Sequence, residues 1–93
     1  MANAIITFKI MPDSPETDLE AIAEKAKNIA KEAGAKGEMQ IQINPIAFGL
    51  KELKVLAMYQ VSDDLDSDGI ANKMAELEGV NSAEVAQMDL AMG

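Results

Sequence analysis

The fold of this chain is decided by residues 39–61, which read MQIQINPIAFGLKELKVLAMYQV. Apolar and polar side chains alternate in residues 39–43, and residues 53–61 carry an apolar side chain at every second position. Alternation with a period of two is typical of a β-strand that buries one face. The stretch therefore predicts two neighbouring strands joined by the connection at residues 44–50.

This connection presents apolar side chains where turns usually carry polar ones. Its Asn-Pro pair and its glycine frame the side chains of Ile46, Phe48 and Leu50. Such a segment either folds back onto the core or offers an anchor to a partner, and that choice determines what the protein does.

The second of these strands has apolar side chains on both faces. Its predicted buried face carries Leu53, Val55, Ala57, Tyr59 and Val61. Leu56 and Met58 then lie on the face that should be open. They are either ordinary surface residues beside neighbouring strands or part of a surface that binds a partner.

Toward the amino terminus, residues 4–11 predict another strand, with Ile6, Phe8 and Ile10 on one face. The segment 17–20, TDLE, predicts a capping box in which Thr17 caps a helix. The apolar stripe of this helix consists of Leu19, Ile22, Ala23, Ala26, Ile29, Ala30 and Ala33, and Gly34 is predicted to stop it.

Toward the carboxyl terminus, a second helix is predicted to begin near Asp66 or Ser67, with Asp66 as its cap. Its buried stripe consists of Ile70, Met74 and Leu77, and Gly79 is predicted to close it. Residues 80 to about 90 predict a last strand, with a bulge around residues 84–86.

The order strand, helix, strand, strand, helix, strand predicts an α+β fold, the ferredoxin-like βαββαβ sandwich. We expect a four-stranded antiparallel sheet in the order 4-1-3-2, with both helices on one face. The right-handed crossovers are expected to make the first and third strands parallel neighbours within it. Residues 1–93 are predicted to form a single domain.

Composition argues against most enzyme mechanisms and several classes of ligand. The 93 residues include no cysteine, histidine or arginine, and the net charge is -8. Residues 55–93 hold one lysine, Lys73, against eight acids. Without a basic patch, nucleic acid and anionic membranes are not expected as partners. With neither a signal-peptide pattern nor an apolar membrane span, a soluble cytoplasmic protein is expected.

Residues 64–69, DLDSDG, have the spacing with which a calcium-binding EF-hand loop begins. The twelfth position, which should carry a bidentate acid, is Ala75, and a strand rather than a helix precedes the loop. Helix capping accounts for these acids better than cation binding. We therefore expect neither a metal site nor a cofactor.

Residues 44–55, NPIAFGLKELKV, resemble the Pro-Ile-x-Phe-Gly-hydrophobic-x-x-Leu segment of elongation factor 1-beta. Residues 8–15, FKIMPDSP, are similar to the archaeal members, and residues 77–80, LEGV, fit as well. The resemblance implies a ferredoxin-like, non-enzymatic guanine-nucleotide exchange factor that acts on the GTPase elongation factor 1-alpha in translation.

The resemblance also implies a surface that binds this GTPase. Phe48 would make the apolar contact, with Pro45, Ile46 and Gly49 shaping its turn and Leu50 packing behind it.

The last strand would direct its carboxyl end toward the nucleotide site. Eukaryotic relatives carry a lysine near that end, whereas the last basic residue here is Lys73. Two alternatives therefore remain for displacing the nucleotide: Met88, Asp89 and Leu90 act by steric contact and charge, or Lys51 beside the turn takes part.

Two other functions remain open from the residues. The apolar pair Leu56 and Met58 on the open face favours a small-molecule-sensing regulatory or interaction module of the same fold, which is often a dimer through its sheet. An acidic cation-binding protein is the third hypothesis.

Overall fold

The secondary structure follows the two periodicities of the sequence. The computed structural model describes residues 3–47, 49–62 and 65–91. Its elements are β1 (Asn3–Pro12), α1 (Leu19–Glu32), β2 (Lys36–Pro45), β3 (Lys51–Gln60), α2 (Ser67–Ala75) and β4 (Val80–Ala91). The predicted order of strands and helices is confirmed. Neither described helix is long and apolar enough to cross a membrane.

The four strands form one sheet in the order β2-β3-β1-β4, which confirms the predicted arrangement. Every neighbouring pair is antiparallel, so the expectation that β1 and β3 are parallel is wrong. The crossovers make β1 parallel to β2 and β3 parallel to β4, but neither pair is adjacent. The β2–β3 connection reverses the chain, and β3 then runs against both β2 and β1.

The predicted bulge in β4 is confirmed. Thr7 pairs with Gln87 and Phe8 pairs with Val85, so Ala86 has no partner of its own on β1. An extra residue reverses the alternation of every side chain beyond it. The bulge therefore decides which face of the sheet the end of β4 presents.

The core lies between the sheet and the two helices, which pack on the same face. Its largest fully buried side chains are Tyr59, Phe8, Ile6, Ile10, Leu53, Met74 and Val55. The predicted inner faces of β1 and β3 are thus confirmed. Ala33 and Val61, which were also predicted for buried faces, are exposed because each lies one residue beyond its element.

The cap of α1 is Asp18, so the prediction of Thr17 is wrong by one residue. One carboxylate oxygen of Asp18 accepts hydrogen bonds from the amides of Glu20 and Ala21, at 3.1 and 3.3 Å. The Thr17 hydroxyl instead donates to Asp13 Oδ1 at 3.0 Å. A carboxylate that reaches two free amides satisfies the helix start better than a hydroxyl that is already bonded.

The carboxyl ends of the two helices agree only in part with those predicted from the sequence. Gly34 follows α1 with φ 108°, which confirms the predicted stop. α2 ends at Ala75 rather than at Gly79, because the amides of Glu76 and Leu77 bond three residues back instead of four. Gly79, with φ 88°, lies at the end of the following turn and leads into β4.

We expect Tyr59→Phe to lower the free energy of unfolding by about 1 kcal/mol, the usual net contribution of one buried hydrogen bond. The buried Tyr59 hydroxyl donates to the carbonyl of Ala30 at 2.9 Å and so ties β3 to the last turn of α1. The Ala30 carbonyl also accepts from the amides of Ala33 and Ala35, so the substitution does not leave it unpaired. Urea denaturation measures the change.

The same variant isolates an alkaline pH dependence. Burial raises the pKa of Tyr59 from 10.0 to about 12, so the folded chain holds the phenol proton more tightly than the unfolded chain does. The stability this provides is fully present below pH 10 and is lost as the pH rises through about 12. A wild-type chain that loses no more stability than Tyr59→Phe over this range would contradict the assignment.

Candidate functional site

The β2–β3 turn has a backbone that holds its shape. Pro45 pairs with Lys51 at the ends of the two strands. The Ile46 amide donates to the carbonyl of Leu50 at 3.0 Å, and the Leu50 amide donates to that of Ala47 at 2.9 Å. These two bonds close the turn through its backbone.

The described side chains of this turn project away from the core. Ile46 is 47% exposed, and Pro45 and Ala47 are exposed as well. Leu50 is half-buried, and Lys51 is exposed where β3 begins. These residues favour the partner anchor over a turn that folds back. The predicted contact, Phe48, lies outside the described residues.

The β1–α1 loop lies beside the turn and completes this end of the molecule. A cleft of about 240 Å³ lies between them, lined by Pro15 and Asp18 of the loop and by Ile43 and Lys51. No sequence pattern predicts this cleft, because the residues of its two walls are about 30 positions apart in the chain. Only the pairing of β3 with both β1 and β2 brings them together.

Replacing Gly49 with alanine is expected to destabilise the turn by about 1 kcal/mol. Gly49 has φ 77°, which is favourable only for glycine, whereas the added methyl group would lie 3.9 Å from Cβ of Pro15 and would meet no clash. The cost therefore comes from the backbone alone. Thermal unfolding of Gly49→Ala measures it, and an unchanged melting temperature would contradict it.

The other predicted contacts lie near the carboxyl end of β4. Met88 pairs with Ile6 and Leu90 with Ala4, so both lie on the helix side of the sheet. Their partners are fully buried, but Met88 is 48% and Leu90 70% exposed because β4 is an edge strand. These two residues form an apolar margin at the edge of the core.

Asp89 lies between them on the opposite, open face of the sheet, where it pairs with Ile5. Its carboxylate accepts a hydrogen bond from Gln87 Nε2 at 2.7 Å. The predicted trio thus presents apolar groups on one face and a carboxylate on the other.

The structure does not bring the two predicted contact regions together. Lys51 begins β3 next to the turn, whereas Tyr59, eight residues later, pairs with Ala4, the partner of Leu90. At a rise of about 3.3 Å per residue, the two regions are about 26 Å apart along the sheet. They form two separate candidate sites at opposite ends of the molecule.

The open face between the two ends carries a second predicted feature. Leu56 and Met58 lie there with Ile5 and form the floor of a depression of about 150 Å³, with Glu38 and Gln40 at its rim. Further along the face, the carboxylate of Glu52 lies 3.7 Å from the Nζ atoms of both Lys9 and Lys54. It forms a salt bridge with each lysine.

The acidic segment before α2 contributes to the helix cap. Asp66 accepts a hydrogen bond from the Gly69 amide at 2.9 Å, as predicted for a cap, while Asp64 lies outside the described residues. Within residues 3–47, 49–62 and 65–91, no three or more acidic, histidine or cysteine side chains are grouped so that they could hold a metal ion.

Comparison with known proteins adds the family context. Residues 5–90 match the family described as the EF-1 guanine nucleotide exchange domain. An elongation factor 1-beta from Methanosphaerula palustris is 38% identical over 91 residues, which cover 97% of this chain and 99% of the relative. One from Archaeoglobus fulgidus is 34% identical with the same coverage, and one from Pyrococcus abyssi is 36% identical over 89% of each chain.

Proposed function

Because this chain belongs to the EF-1 guanine nucleotide exchange family, we propose that it promotes GDP release from elongation factor 1-alpha and thereby its loading with GTP. The observation that carries the proposal is the length of the match. Residues 5–90 include the β2–β3 turn, all of β2 and β3, β1 from Ile5 onward and β4 up to Leu90. Both candidate sites therefore lie inside the region shared with the family.

Nucleotide exchange requires binding energy rather than bond chemistry. A factor accelerates release when it binds the nucleotide-free GTPase more tightly than the nucleotide-bound form. The described residues offer apolar side chains and carboxylates for such binding. A chain without histidine, cysteine or arginine can therefore perform this task.

In this proposal the two candidate sites have different tasks, binding of the GTPase and displacement of its nucleotide. The turn residues Pro45, Ile46, Phe48, Gly49 and Leu50 bind the GTPase. The end of β4, with Met88, Asp89 and Leu90, reaches toward the nucleotide. The separation of about 26 Å between them, at about 3.3 Å per strand residue, lets one rigid domain contact two parts of its partner at once.

Release of a fluorescent GDP analogue from purified elongation factor 1-alpha tests the proposal. The chain at micromolar concentration is expected to accelerate release in a saturable manner. The same concentration of a heat-denatured sample serves as the control for non-specific protein. No acceleration by the folded chain would refute the proposed function.

A further inference from the structure

The open face of the sheet carries an apolar patch that neither end site uses. The patch consists of Ile5, Leu56 and Met58, which are half-buried and line the depression of about 150 Å³. Ile5 pairs directly with Met58 across the two central strands, β1 and β3. A contiguous apolar patch on an otherwise polar face is typical of an interaction surface.

Opposite charges lie at the two edges of the sheet on either side of this patch. Lys36 of β2 pairs with Met58, and Asp89 of β4 pairs with Ile5. One row across the open face therefore consists of Lys36, Met58, Ile5 and Asp89. Its two central members are apolar, and its two ends carry charges of opposite sign. Such a row complements a second copy of itself in reverse order.

A two-fold axis that runs parallel to the strands, between β1 and β3, reverses this order. When the open faces of two copies are stacked about this axis, β2 of one copy lies over β4 of the other, and β3 lies over β1. Lys36 of each copy then faces Asp89 of the other, and Met58 faces Ile5. An axis across the strands instead places each strand over its own copy, so Lys36 and Asp89 remain on opposite edges.

Both charged groups are able to make this additional contact. Lys36 Nζ donates to Gln60 Oε1 at 3.3 Å, and Asp89 accepts from Gln87 Nε2 at 2.7 Å. An ammonium group has three protons, and a carboxylate has about four acceptor sites, so each group can bind more than one partner. Both residues are exposed, so neither charge has to leave a buried site to meet a second copy.

The charge of the open face favours this face over the rest of the surface. Its charged residues are Lys9, Lys36, Lys54, Glu38, Glu52, Glu84 and Asp89. Three lysines against four acids give a net charge of -1, whereas the whole chain carries -8. Two copies of an acidic chain repel each other least where the local charge is smallest.

Two features of the open face oppose the stacking. Lys9 pairs with Lys54, so the same axis places Lys9 of one copy over Lys54 of the other. The carboxylate of Glu52 lies 3.7 Å from both Nζ atoms, and Glu84 pairs with Lys9, so counter-charges accompany these lysines. Glu38, at the rim of the depression, adds a negative charge to the β2 edge. Both features weaken the dimer without preventing it.

The size of the face indicates a weak dimer. Its four strands, about 4.8 Å apart with about seven residues each in register at about 3.3 Å, cover roughly 450 Å². Two copies then bury roughly 900 Å² in total, near the lower limit for specific interfaces. We therefore expect a dissociation constant on the order of 100 µM.

We propose that the chain forms a symmetric dimer through its open face, with the apolar patch at the centre and Lys36 bound to Asp89 of the second copy at both edges. This inference goes beyond the proposed function and does not depend on it. Met88 and Leu90 lie on the helix side and stay outside the interface, whereas Asp89 is covered. Contact of Asp89 with a GTPase and contact with the second copy therefore exclude each other.

Sedimentation equilibrium of the full chain, from about 10 µM to about 1 mM, measures the dimer. Lys36→Glu and Asp89→Lys are each expected to raise the dissociation constant about tenfold, because each change places like charges together at both edges. Asp89→Lys also reduces the negative charge of the chain, so general repulsion alone would predict a tighter dimer. Glu38→Gln removes an acid from the β2 edge and is expected to lower the dissociation constant about twofold.

A mixture of the two charge variants gives the sharpest test. When the Lys36→Glu chain pairs with the Asp89→Lys chain, both edges again join opposite charges, and the total charge equals that of the wild-type dimer. We therefore expect the mixture to regain wild-type affinity, although each variant alone dimerises about tenfold more weakly. Lys25→Glu, on the exposed side of α1, makes the same charge change and should leave the dissociation constant unchanged.

The outcomes that would refute the dimer are separate from those that would refute the proposed function. A chain that remains monomeric at about 1 mM would refute the dimer itself. A dimer that both charge variants form with wild-type affinity, or a mixture that dimerises no better than its components, would refute this interface. All four changed positions are exposed, and circular dichroism verifies that each variant is folded. GDP release is measured separately, and its absence would refute only the proposed function.

Discussion

Phe48→Ala is expected to weaken binding to elongation factor 1-alpha by about 30-fold, which corresponds to the roughly 2 kcal/mol of an aromatic anchor at an interface. The described neighbours Ile46, Ala47 and Gly49 are exposed, and two backbone hydrogen bonds close the turn. The free energy of unfolding should therefore change little. Titration of the exchange factor against a fixed amount of GDP-bound GTPase measures the shift to higher concentration.

Val61→Ala is the matched control for this variant. Val61 is an exposed apolar side chain just beyond β3, at the opposite end of the sheet from the turn, so its truncation removes similar chemistry away from the turn. It is expected to behave as wild type. A folded Phe48→Ala chain with wild-type affinity would contradict the prediction that Phe48 contacts the GTPase.

The sheet could be predicted from the sequence because its pattern is local and strong. Ile6, Phe8 and Ile10 alternate with Thr7 and Lys9, and every second residue from Leu53 to Tyr59 is apolar. Strands that bury one face must keep this period. The order of the elements along the chain then restricts the sheet to very few topologies.

The predictions from the sequence are wrong where a residue distant in sequence determines the local structure. They are also wrong where a competing hydrogen bond does so. Thr17 and Asp18 are both favourable caps by residue type, and the carboxylate of Asp13 accepts a hydrogen bond from the Thr17 hydroxyl. The direction of β3 relative to β1 depends on the reversal at the β2–β3 turn. Neither the hydrogen bond made by Thr17 nor the direction of β3 follows from residue type alone.

The candidate sites were predicted as residues but not as an arrangement. In β4, the sequence left the alternation ambiguous at residues 84–86. Without the bulge at Ala86, Met88 would pair with Ile5 rather than Ile6, and both Met88 and Leu90 would lie on the open face. One unpaired residue thus decides which surface the carboxyl end of β4 adds to.

Because the two ends are separate, the two alternatives for displacing the nucleotide predict different effects on the kinetics of GDP release. Lys51 belongs to the turn end, and Met88 and Leu90 belong to the opposite end. Whichever end displaces the nucleotide should control the maximal rate of release. The other end should control the concentration at which half of that rate is reached.

We expect Met88→Ser/Leu90→Ser to lower the maximal rate of GDP release by about 30-fold, because each side chain that becomes buried in the nucleotide-free complex contributes roughly 1 kcal/mol or more. Lys51→Ala should shift only the half-saturating concentration. Ala86→Ser, on an exposed position of the same strand, is the control and should match wild type.

The reverse pattern, with the maximal rate lost in Lys51→Ala and kept in the β4 variant, would assign nucleotide displacement to the turn end. A combined Phe48→Ala/Met88→Ser/Leu90→Ser chain distinguishes two independent contacts from one. Sites about 26 Å apart without shared partners usually have free energies that add to within about 0.5 kcal/mol. Additive free energies would mean that binding of the GTPase and release of its nucleotide depend on separate contacts. A large coupling free energy would mean that both ends act on a single rearrangement of the GTPase.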